Sequence, residues 1–116
     1  MKHVYVWLLL TACSPLTATW EGKCDYGEDE IQVELELVQD GEDVEGDGTL
    51  SYLDGNTLVT VDVTVDGDTD GDDVELELET DLLGTMEIDA ALEGGISLTG
   101  ECEWTFEGVL TLDRED

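Results

Sequence analysis

Asp66-Gly67-Asp68-Thr69-Asp70-Gly71, with Glu77 at the twelfth place, sets oxygen donors at alternate positions ahead of a turn-forming glycine. A hard divalent cation such as calcium needs that arrangement, and the spacing satisfies the string D-x-[DN]-x-[DN]-G-x5-E. The surroundings are unlike the usual ones: the flanks alternate like strands where the string normally lies between helices, and its eighth place holds Asp73 where an apolar residue is usual. With residues 73–80 extended at ~3.3 Å per residue, Glu77 stands about 16 Å from Asp72, too far to close the same ion. The residues therefore offer a calcium site built from Asp66, Asp68, Asp70 and Asp72 without the bidentate glutamate, or else a solvated hairpin loop. In a chain with 32 acidic residues the second reading arises readily by chance.

Other chemistry is sparsely represented. The Gly-Asp-Gly stretches lack the lysine and the strand-to-helix setting of a phosphate loop. Paired carboxylates are the acid and base of glycoside cleavage, but spacing singles out no pair among so many. The formal net charge of −29 repels nucleic acid and anionic headgroups. It suits a high-salt surface, a surface that collects divalent cations, or plain solubility. High net charge also marks disorder, and the apolar pattern argues against that.

Ile31, Val33, Leu35 and Leu37 alternate with polar residues, as do Val59 to Val65, Val74 to Leu78 and Met86 to Ala90. Period-two alternation is a strand with one buried face. Turn signals separate the runs at Asp40-Gly41, Asp54-Gly55-Asn56, the stretch from Asp66 to Asp73, Leu83-Gly84 and Gly94-Gly95. No helical period is sustained. The expectation is an all-β antiparallel up-and-down meander of about eight strands, near 16–24, 30–38, 44–53, 57–65, 73–80, 84–92, 95–101 and 103–113, with the last break anywhere near 100–108. Closure into a small barrel removes the two sheet edges; a two-sheet β-sandwich is the alternative. Leu35, Leu37, Leu76, Leu78 and Ile88 are bulky enough to fill a barrel, and Trp104 and Phe106 share a face with Leu110 and Leu112, as core residues or as a ligand wall.

Met1-Lys2-His3 is a minimal positive start, Val4 to Leu10 is uncharged and apolar, and Leu10-Thr11-Ala12-Cys13 follows. This resembles the lipobox of bacterial lipoproteins, with a short signal ahead of it. The resemblance implies cleavage before Cys13, a diacylglycerol anchor on its thiol, and, with Ser14 next, sorting to the outer membrane. It implies a signal at 1–12, a tether at 13–15 and a single domain at 16–116. It also implies that His3 is removed, which takes away imidazole bases, triads and metal sites, and that Lys23 and Arg114 are the only Lys or Arg left. Cys24 and Cys102 are then the remaining thiols, and an exported pair is expected as a disulfide, stapling the seam between the first and last strands.

Ala18-Thr19-Trp20 near the start and Leu110-Thr111-Leu112-Asp113-Arg114 near the end resemble the calycin pattern of lipocalins and related barrels, with alanine at 18 where glycine is usual. That resemblance implies a Trp20–Arg114 contact closing one end of the barrel. The expectation is a non-enzymatic envelope or surface protein without a resident cofactor, calcium aside. It is membrane-associated through its anchor and takes a small apolar ligand inside the barrel. A structural or interaction module contacting another envelope protein and a calcium-stabilised acidic surface domain are the alternatives.

Overall fold

A computed structural model describes residues 16–81, 84–104 and 107–115. The lipobox Leu10–Cys13, the tether and Phe106 lie outside the described residues. Eight strands follow one another, β1 (Ala18–Asp25), β2 (Glu30–Asp40), β3 (Asp43–Asp54), β4 (Thr57–Asp70), β5 (Asp73–Thr80), β6 (Gly84–Glu93), β7 (Ser97–Glu103) and β8 (Glu107–Glu115). Each pairs antiparallel with the next, and β8 returns to β1 to close the barrel. The sheet is closed and is not the two-sheet sandwich that the alternation also allowed, so no strand is left as an edge.

The odd or even apolar row of each strand points inward. Val33, Leu35 and Leu37 from β2, Leu76 and Leu78 from β5, Ile88 from β6, and Leu110 and Leu112 from β8 are all buried. Wrapping so small a barrel brings neighbouring backbones too close for some side chains. A Cβ added at Gly22 would lie 1.8 Å from the carbonyl oxygen of Thr111, so only glycine lets β8 cross β1 at that point.

The β4–β5 connection differs from the sequence expectation. β4 runs five residues past Val65, so that Asp66, Asp68 and Asp70 are strand residues and not loop residues. The inward parity simply continues: Thr69 is buried, its hydroxyl donates to the carbonyls of Gly71 (3.2 Å) and Asp73 (2.9 Å), and its amide donates to the carbonyl of Glu42. The turn shrinks to Gly71-Asp72, with Gly71 at a φ of 63°, as a two-residue hairpin with glycine first requires. The break before the last strand lies between Glu103 and Glu107, which assigns Cys102 to β7.

The two barrel ends are unlike. At one, Leu16 and Trp20 are buried and the indole Nε1 donates to the Leu16 carbonyl at 3.0 Å; the chain enters here, beside the β2–β3 hairpin, through Leu16 N donating to Gln39 Oε1. At the other, pairing of β2 with β3 stops at Gln32–Ser51 and that of β4 with β5 at Thr64–Glu79. β3 and β4 nonetheless stay paired out to Asp54–Thr57. They project beyond the rim as a two-stranded arm.

Candidate functional site, a cleft at the rim of the barrel

The fork between this arm and the β1–β2 turn encloses a cleft of about 620 Å³. Its apolar lining comes from four places: Tyr26 after β1, Ile31 at the start of β2, Trp104 after β7, and Tyr52, Leu53 and Leu58 on the arm. The β1–β2 turn is held by the Tyr26 amide donating to the Asp29 carbonyl and the Gly27 amide to Asp25 Oδ1, each at 2.8 Å. A Cβ at Gly108 would come within 2.9 Å of the Tyr26 ring, so the missing side chain there is the seat in which the ring lies. Burial pushes the Tyr26 phenol above its ordinary pKa, because a partly buried phenolate loses its hydration.

Leu53 and Leu58 face each other across the arm and are 69% and 65% exposed. Both stand off the inward row of their strands, since Leu50 and Tyr52 carry the parity of β3 and Val59 and Val61 that of β4. Exposed leucines are ordinary singly, but this pair flanks an aromatic-lined cavity. Below the cleft, the space between Leu50, Met86 and Trp104 has no room for a water molecule. Trp104 therefore belongs to both core and cleft wall. Among the described residues the inward rows of the barrel are buried side chains, and this cleft opens at its rim.

The rim is acidic. Glu28, Asp29 and Glu30 line it, and Lys23 Nζ reaches Glu30 Oε2 at 3.2 Å.

The calcium string is distributed differently from the loop it suggested. Asp66, Asp68 and Asp70 point outward from β4 and Asp72 sits in the turn, its carbonyl accepting from Leu92 N of β6 at 2.8 Å. Among the described residues no group of three or more His, Cys, Asp or Glu side chains is placed to hold a metal ion. Glu77, remote from Asp72 as expected, stands directly across from Asp66 in the β4–β5 register. These acids belong to a wall. Glu45, Asp66, Glu77, Glu87, Glu103 and Glu107 form an unbroken cross-strand row from β3 to β8. Asp40, Asp43, Asp68, Glu75, Asp89 and Glu101 form a second row beside it.

Cys24 and Cys102 are disulfide-bonded with Cα atoms 6.2 Å apart. The bond joins β1 to β7 across β8, where Cys24 faces Leu110 and Cys102 faces Gly108. It spans the last strand on the inner face and does not staple the β1–β8 seam edge to edge. Trp20 is paired with Arg114 in the β1–β8 register, at the end closed by Leu16; Arg114 is exposed and its amide donates to the Ile96 carbonyl.

Tyr26, Tyr52, Leu53 and Leu58 were not candidates from sequence. The readable signal was the break of parity at Leu53 and Leu58, two apolar residues on the polar face either side of Asp54-Gly55-Asn56-Thr57. Comparison with protein-family models, curated proteins and solved structures finds no match for the chain.

Proposed function

We propose that this chain is a lipid-anchored, exported, non-enzymatic envelope protein that binds a small apolar ligand in the cleft at the rim of its barrel. The cleft carries the reading: its volume of about 620 Å³ lies within the roughly 300–1,000 Å³ of small-molecule sites, and its aromatic and leucine lining is the usual composition of such sites. Anchorage rests on the lipobox Leu10–Cys13. The outer wall bears rows of carboxylates that do not enter hydrocarbon, so in this reading the membrane is reached through the N-terminal segment and not through the strands. The calycin resemblance supports a carrier role, with the ligand at the mouth and not along the axis.

Titration of the full chain carrying Cys13→Ser, with its disulfide formed, against the neutral fluorophore N-phenyl-1-naphthylamine should give saturable binding. Leu53→Ser/Leu58→Ser should abolish it without lowering the melting temperature, since both side chains are exposed. Absence of saturable binding would replace the carrier with an interaction module. Cys13→Ser should also move the protein from the membrane to the soluble fraction with loss of the acyl mass; retention at the membrane would remove the anchor.

A further inference from the structure

The cleft pairs an apolar floor with an anionic rim, and on that pairing we infer that its occupant is a cationic amphiphile, an apolar chain or ring system bearing a protonated or quaternary amine. The inference rests on the cleft being a ligand site. The floor supplies burial for an apolar body, and each methylene removed from water there favours binding. Tyr52 and Trp104 present aromatic rings within it, and ring faces attract organic cations, whose diffuse charge is easily desolvated. At the lip, Lys23 is committed to Glu30. Among the described residues no cation is paired with Glu28 or Asp29, which stand two and three residues beyond Tyr26 in the turn that walls the cleft.

Charge complementarity excludes the other choices. An anionic amphiphile would set its head against Glu28 and Asp29 in the field of a chain of net charge −29, where like charges repel and bound anions are depleted. A neutral one would gain the floor and nothing from the rim. Only a cation uses both, and the field that expels anions raises its local concentration.

Three twelve-carbon amphiphiles test this on the full chain carrying Cys13→Ser, each below its micelle threshold, at low ionic strength, by calorimetry. Dodecyltrimethylammonium should bind about tenfold more tightly than dodecyl maltoside, a difference of ~1.4 kcal/mol, and dodecyl sulfate should not bind. Glu28→Gln/Asp29→Asn should reduce the cationic preference to threefold or less and leave maltoside binding unchanged. Leu53→Ser/Leu58→Ser should remove binding of both. Equal affinity for the cationic and neutral compounds, both lost in the leucine variant, would overturn the charge inference and leave the cleft standing. Cationic binding indifferent to both variants would assign it to the acidic wall and overturn the inference. No binding of any of the three would remove the cleft reading as well.

Discussion

Glu21 is the residue at which the acidity of this chain acts most visibly on a single group. It lies on the outer face of β1, paired in register with Glu34 on one side and Asp113 on the other. A side-chain hydrogen bond with Glu115, together with repulsion from that carboxylate, holds its pKa above the ordinary glutamate value, against a smaller opposing hydrogen bond with Glu34. The folded state then binds this proton more tightly than the unfolded chain does. The resulting stability is fully present below the unfolded pKa and is lost as pH rises through the folded one. The melting temperature should accordingly fall as pH rises through the range just above the ordinary glutamate pKa. Glu21→Gln should flatten that part of the profile and raise the melting temperature at neutral pH, by a small amount because the site is fully solvated. A slope unchanged in the variant would show that the other carboxylates set it. Residues such as Glu21 are invisible from the chain, because the partner that matters, Glu115, is nearly a hundred positions away by roughly the length of the domain. Leu53 and Leu58 were closer to legible, since a parity break needs no knowledge of what faces it.

The eight strands were readable because each buries one row and exposes the other, and a barrel is the arrangement that pairs every edge. What alternation does not fix is where a strand yields to its turn when aspartate and glycine continue the inward and outward places. Asp66 to Asp70 looked like loop chemistry and is strand, because Gly67 and Thr69 keep the inner row while the aspartates keep the outer one. The calcium reading changed with it: alternate outward residues on a strand sit about 6.6 Å apart along a line, whereas a loop can curl its oxygens around a point. Cys24 and Cys102 show the same limit. Their pairing was legible, but that the bridge passes over β8 is a fact of register. The bond closes a sequence separation of 78 residues, so on loop entropy it should contribute about 4.5 kcal/mol. Reduction, or Cys24→Ala/Cys102→Ala, should lower the denaturant midpoint and steepen the slope, because the chain without the cross-link unfolds to a more open state. Equal midpoints for the oxidised and reduced protein would show that the closed sheet alone restrains β1 and β7.

At the scale of the molecule, the two ends and the wall divide the work. The described chain enters the barrel at the end plugged by Leu16 and Trp20. The cleft lies at the opposite rim, roughly 35 Å from that end for a fourteen-residue β4 at ~3.3 Å per residue and a tilt of about 40°. Under the proposed anchorage at Cys13 the site would face away from the membrane, and a ligand would reach it from the aqueous side. Between the ends, the carboxylate rows place like charges directly across strands, each such pair opposing the sheet that carries it. Folding concentrates these charges, and the unfolded chain spreads them. Raising sodium chloride from 10 mM to 1 M shortens the screening length from about 30 Å to about 3 Å, so the melting temperature should climb steeply over the first part of that range and then level. Calcium and magnesium at matched ionic strength should raise it alike, because the described carboxylates form rows and not a ligand set. A flat response to sodium chloride would mean that the wall is not under electrostatic strain, and an increment specific to calcium would mean that some of these acids do converge on an ion.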